Sequence, residues 1–142
     1  ASTMSWNQTV TYPEATRDLL LGSLPPLLTT YLSQLGTAAA RGDLLMVQHR
    51  RASIQAVWFN LLFALNRVYH PGEKRLLEHA GRCALAPEHQ AERWTRLCRL
   101  GADDPDLYPG LRSLVADLTD LVEAVPQGPV RGAGTSGAPG PV

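Results

Sequence analysis

Between Tyr12 and Val125 the apolar residues recur at helical intervals, and nowhere do they alternate as a half-buried strand requires. Tyr12-Pro13-Glu14 opens a first helix: proline suits the first turn, and Glu14 and Asp18 suit the helix dipole. It runs through Leu19, Leu20 and Leu21 until Gly22-Ser23 breaks it. Ser23 caps a second helix, which takes Pro25 and Pro26 into its first turn and continues past Leu28, Leu32 and Leu35 to a stop at Gly42. Asp43 caps the longest helix, Leu44 to about Tyr69, whose core stripe is Val47, Ile54, Trp58, Leu61, Leu65 and Val68. His70-Pro71-Gly72 ends it, because a residue before proline disfavours helical geometry. A short helix follows from about Glu73 to Cys83, and another from Pro87-Glu88 to Leu100. After the turn Asp103-Asp104-Pro105-Asp106, the last helix carries Leu107, Leu111, Leu114, Leu118, Leu121 and Val125 at alternating spacings of four and three. The pattern predicts an all-α fold, an antiparallel helical bundle of about six helices with short links.

The two ends read differently. Residues 1–11 are polar with scattered Trp6 and Val10, an N-terminal arm or the last connection from an upstream domain. From Pro126 to Val142, glycine and proline recur with almost nothing to bury, which predicts a disordered tail. The helical domain, residues 12–125, is long enough to bury a core without disulfides or metal.

Composition narrows the function classes. The 142 residues are 44% hydrophobic, and the net charge is zero, so no global field favours nucleic acid or membrane. The charge is unevenly distributed. Arg41 to Arg99 holds ten basic and five acidic residues, whereas Leu100 to Val125 holds six acidic and one basic. These stretches make two opposed faces or pair with each other. Twelve of the thirteen basic residues are arginine, a bias that coding composition explains as well as phosphate binding does. Cys83 and Cys98 have no second pair of ligands for a metal and read as two reduced thiols or, alternatively, as a disulfide or redox pair. No stretch reaches the ~20 apolar residues of a membrane span, and no charged region precedes an apolar run as in a secretory signal. A cytoplasmic location is expected.

The longest predicted helix has a second line of residues. His49, Ser53, Ala56, Asn60, Ala64 and Arg67 follow one another three or four apart, with Gln48, Gln55, Leu62 and Asn66 on a neighbouring line. Small and polar groups side by side are read as a solvated face, as amides such as Asn60 or Asn66 holding nearby loops, or as a ligand groove. Lys74, the sole lysine, falls in the first turn of the short predicted helix, where its charge gains nothing from the dipole. A cation there, beside free backbone donors, is a candidate anion site.

The run Phe63-Ala64-Leu65-Asn66-Arg67-Val68-Tyr69-His70-Pro71-Gly72-Glu73-Lys74-Arg75-Leu76 resembles the signature of the domain of unknown function 4037. That family follows a nucleotidyltransferase fold in proteins similar to aminoglycoside nucleotidyltransferases. The resemblance covers about Tyr12 to Leu100, and its specific part is Leu65 to Leu76. It implies a helical half that closes over a catalytic domain and helps hold nucleotide or acceptor substrate. By that resemblance Asn66, Lys74 and Arg75 lie near the active cleft; Lys74 is read as facing the triphosphate, and His49, Asn60 and Arg67 of the polar line complete the candidate binding set. Magnesium and a nucleoside triphosphate are implied for the catalytic half, which supplies a Gly-Ser loop and an Asp-x-Asp pair. Here Gly22-Ser23 lies between predicted helices, and Asp104 and Asp106 lie in a proline turn, without a strand beside either. No catalysis is expected of this chain alone.

Two other readings stand beside this one. The polar line can meet a protein partner in a purely structural or interaction bundle. Arg82 and His89 match the Arg-to-His spacing of helical RNase domains, although Pro87 interrupts the helix between them, and such a pair could act in general acid–base cleavage of RNA.

Overall fold

The computed structural model describes residues 11–126. Five α-helices are found among them: α1 (Glu14–Ala40), α2 (Leu44–Leu65), α3 (Leu76–Ala80), α4 (Gln90–Cys98) and α5 (Leu107–Ala124). No strand occurs among the described residues. Apart from Thr11 and Pro126, the segments read as an arm and as a disordered tail lie outside them.

The two helices expected on either side of Gly22-Ser23 are one. Arg17, Leu21, Leu28, Leu32, Leu35 and Ala38 are all buried along α1, so a single helical phase runs through the prolines. Pro25 and Pro26 remove the N–H groups that would reach the carbonyls of Leu21 and Gly22, a defect worth roughly 3 kcal/mol in an undisturbed helix. Burying one leucine returns about 1.5–3 kcal/mol, and Leu28, Leu32 and Leu35 follow directly, so packing outweighs the defect. Ser23 is not a cap: its hydroxyl donates to the carbonyl of Leu19 at 2.8 Å.

Gly42 turns α1 into α2 with φ of 74°. Its N–H donates to Ala39 at 3.1 Å and that of Asp43 to Ala38 at 2.9 Å, the paired bonds of a left-handed helix stop. Asp43 then caps α2 as expected, accepting from the Met46 N–H at 3.3 Å. The two helices run in opposite directions: Arg50 meets Gln34 near the turn, and Arg17 at the start of α1 reaches Leu65 at the end of α2. α5 packs against α1, α2 and α4. Trp58 sits at the centre, fully buried, its indole N–H donating to Leu114 at 2.9 Å and its ring set edge-on to Trp94 at 5.3 Å.

α2 stops at Leu65, short of Tyr69, so Val68 leaves the predicted core stripe and is 43% exposed. The stop is a second left-handed one: the N–H of Arg67 donates to Ala64 and that of Val68 to Phe63, with Arg67 at φ 56°. The short helix expected over Glu73 to Cys83 shrinks to α3, because Gly72 (φ 97°) and Arg75 (φ 56°) both leave helical geometry.

The basic middle and the acidic end pair. Arg93 meets Asp117 at 2.9 Å and Arg96 meets Asp106 at 3.2 Å, joining α4 to α5 and the turn before it. Arg51 donates to the carbonyls of Leu97 and Leu100 at 2.6 and 2.8 Å, placing a cation at the C-terminal end of α4, where the helix dipole favours one.

Candidate functional site

The outward side of α2 carries Ala52, Gln55, Ala56 and Asn60. Beyond the stop at Arg67, the Pro71-Gly72 turn reverses the chain and brings His70, Glu73 and Leu76 alongside these residues. Together they enclose a cleft of about 490 Å³. The alanines and Leu76 are its apolar surface, while two amides, an imidazole and a carboxylate give it polar groups.

His70 is held in two ways. Its ring lies edge-on to Phe63 with centroids 5.3 Å apart, and its Nδ1 accepts the N–H of Gly72 at 3.0 Å. That bond requires an unprotonated Nδ1, so in the neutral ring Nε2 carries the proton and is a donor. The side chains of Gln55, Asn60 and Glu73 have no hydrogen-bond or ion-pair partner among the described residues. Convergent polar groups left free around a partly apolar concavity are what a small-molecule site consists of.

The sequence candidates are dispersed by the fold. Asn60 alone among them lines the cleft. Asn66 is spent on structure: its amide nitrogen donates to Leu62 and Leu85, and its oxygen accepts from the Leu85 N–H. Arg67 forms a forked ion pair with Glu14 at 2.6 and 3.1 Å, tying the end of α2 to the start of α1. The hydrogen bond from Arg67 holds the Glu14 carboxyl below its ordinary pKa. Lys74 is exposed in the turn ahead of α3, next to its N-cap Arg75 rather than in the helical first turn expected for it. Arg75 is exposed and reaches Glu78 at 4.0 Å. His49 is exposed on the first half of α2, outside the cleft, with its carbonyl accepting from Ser53.

Residues outside the candidate set matter more. Gln55 stands on the neighbouring line of the same helix, and His70 and Glu73 stand inside the Leu65–Leu76 run; only the backbone reversal at Arg67 and Gly72 shows that they face α2. Arg17 is 5% exposed and donates through Nε and Nη2 to the carbonyl of Leu65 at 3.3 and 3.0 Å. Its place four residues before Leu21, in phase with the buried stripe, is the signal that identifies it.

A larger groove of about 1070 Å³ runs between α1 and α5, past Ser33, Gly36, Thr37, Tyr108 and Arg112. Its three threonine hydroxyls are committed, while the Ser33 and Tyr108 hydroxyls have no hydrogen-bond partner among the described residues. Thr29, Thr37 and Thr119 donate to carbonyls of their own helices, and Arg112 lies over the Tyr108 ring at 5.3 Å.

The pieces weighed for catalysis also have structural places. Gly22-Ser23 is inside α1, and Asp104 accepts the N–H of Asp106, whose carboxylate meets Arg96. Among the described residues no three His, Cys, Asp or Glu side chains group as metal ligands would. Arg82 follows α3 with Nη1 3.4 Å from His79 Nδ1, and His89 stands at φ 57° just before α4. Cys83 is half-buried, which raises its thiol pKa, and Cys98 is exposed; both are free. No described helix is long and apolar enough to cross a membrane. Neither the protein-family models, the curated proteins nor the solved structures give a match to this chain.

Proposed function

We propose that the chain is an antiparallel helical bundle serving in the cytoplasm as the non-catalytic, substrate- or nucleotide-binding half of a nucleotidyltransferase-like assembly. Its catalytic half, joined in cis or bound in trans, supplies the magnesium and nucleoside triphosphate chemistry. The observation that carries this reading is the α2 cleft, lined by His70 and by Gln55, Asn60 and Glu73, whose side chains have no partner among the described residues. Three of its seven lining residues, His70, Glu73 and Leu76, belong to the run that resembles the helical partner of nucleotidyltransferases. The ligand meets this chain for binding and orientation, and the partner domain for chemistry.

The test pairs the chain with the polypeptide encoded immediately upstream of it and follows magnesium-dependent transfer from labelled ATP. The isolated chain is expected to transfer nothing, the pair to be active, and Asn60→Leu to lower kcat/KM of the pair. Transfer by the isolated chain, or an Asn60→Leu pair as active as the parent, overturns the proposal.

A second reading has its own observation. Val68, Tyr69 and Leu85 are 43%, 53% and 41% exposed, and the Asn66–Leu85 bonds bring their segments together. In a pure interaction bundle these apolar groups meet a protein partner, and Asn60→Leu leaves any reconstituted activity unchanged.

A further inference from the structure

We propose that the buried face of α4 binds one internal water molecule, shared between the indole N–H of Trp94 and the amide oxygen of Gln90.

Both residues are buried, with Trp94 4% and Gln90 7% exposed. Trp94 Nε1 and Gln90 Oε1 are the two buried side-chain polar atoms that have no hydrogen-bond partner among the described residues. Trp58 gives the contrast: its buried indole N–H donates to Leu114 at 2.9 Å. A buried donor or acceptor left unpaired loses its hydration for nothing in return, and folded proteins avoid this. Turning the Gln90 amide over does not help. Its Nε2 donates to the Ala80 carbonyl at 3.0 Å, and the flipped amide would set oxygen against oxygen there.

The two atoms belong to one site. Gln90 and Trp94 stand one turn apart on the same face of α4, a spacing that puts Cβ atoms about 5–6 Å apart. Helical side chains lean towards the N-terminus, so Trp94 leans back over the turn that Gln90 opens. The two do not bond each other, yet a molecule accepting from one and donating to the other spans about 5–6 Å with two ordinary hydrogen bonds.

The chemistry of the pair selects the ligand. One N–H donor and one carbonyl acceptor suit a neutral molecule that both accepts and donates; an anion has no use for the oxygen, nor a cation for the N–H. Burial sets the size. Both atoms are closed to solvent, and the Trp94 ring lies 5.3 Å from the rings of Trp58 and Phe59. A partner's side chain cannot reach such atoms, whereas water can, and two polar partners meet the minimum that an internal water needs. Held there, the water ties the end of α3, through Ala80 and Gln90, to the aromatic cluster around Trp58.

Magnetisation transfer from water to the indole protons of the full isotope-labelled chain tests the site. Cross-peaks of opposite sign in the laboratory and rotating frames mark a bound water, and equal signs mark proton exchange. Trp94 is expected to show the bound-water signature, and Trp58, whose N–H is taken by a carbonyl, to show none. Gln90→Met keeps the side-chain length, removes the acceptor and should abolish the Trp94 cross-peak. Absence of the signature at Trp94 in the parent chain overturns the proposal, whether or not the variant folds. A cross-peak of full intensity in folded Gln90→Met overturns the sharing of the water with Gln90.

Discussion

Asn66 and Leu85, 19 residues apart, are joined like paired strand residues: the Asn66 amide nitrogen donates to the Leu85 carbonyl at 2.8 Å, and its oxygen accepts the Leu85 N–H at 2.9 Å. A third bond runs from the same nitrogen to Leu62. One amide thus closes α2 and holds the loop between α3 and α4 against it. Asn66→Ala leaves the exposed backbone groups of Leu85 to water and is expected to cost about 0.5–1.5 kcal/mol, the net worth of a hydrogen bond. Asn66→Asp should cost no less, since a carboxylate cannot donate to Leu62 and Leu85. Urea unfolding of the two variants measures both. A parent-like midpoint for Asn66→Ala would free this residue for the ligand role that its sequence position suggests.

The stops after α1 and α2 are the same backbone device with different residues in the left-handed position, Gly42 and Arg67. Glycine takes that conformation freely and other residues at a cost of roughly 1 kcal/mol. Gly42→Ala should therefore destabilise the protein by about 1 kcal/mol. Arg67→Gly relieves the same strain and gives up only a solvent-exposed ion pair with Glu14, so its midpoint should stay close to the parent's. A large loss in Arg67→Gly would mean that Arg67 does more than hold Glu14.

That ion pair also has a pH signature. Arg67 depresses the Glu14 pKa in the folded chain. The contribution is fully present above the ordinary glutamate pKa and is lost as pH falls through the lower, folded value. The stability difference between the parent and Arg67→Gln should accordingly vanish below that window and be constant at neutral pH. Denaturant titrations at acid and neutral pH decide it, and a difference that grows on acidification is incompatible with the pair.

Periodicity carried most of the fold. The stripe Leu107, Leu111, Leu114 and Leu118 is buried as spaced, and Asp43 caps α2 where its position predicts. The misreadings share one cause, which is that local breakers were weighed without the packing around them. Gly22-Ser23 and two prolines look like a break, yet the buried stripe of α1 crosses them in phase. Conversely, α2 ends early at an arginine, where no glycine or proline announces a stop. The cleft was less legible for a related reason. His70 and Glu73 join Asn60 only through the reversal between Arg67 and Gly72, and helical spacing cannot express a side-by-side arrangement made by a loop.

Gly22 gives the sharpest check on the continuity of α1. A Cβ at this position would meet nothing within 4 Å, and φ there is not left-handed. If the helix runs through, Gly22→Ala gains the full helical preference of alanine, about 1 kcal/mol, partly by restricting the unfolded chain. If the chain broke here, alanine would bring no such gain. Gly110 inside α5 is the internal control: the same replacement would place a Cβ 2.5 Å from Leu97 Cδ2, in a buried contact between α4 and α5. There the helical gain is set against overpacking of about 1–3 kcal/mol, so Gly110→Ala should be destabilised or at best neutral. Thermal melts of the two variants should thus move apart, Gly22→Ala upward and Gly110→Ala level or downward. A drop for Gly22→Ala would restore two helices in place of one.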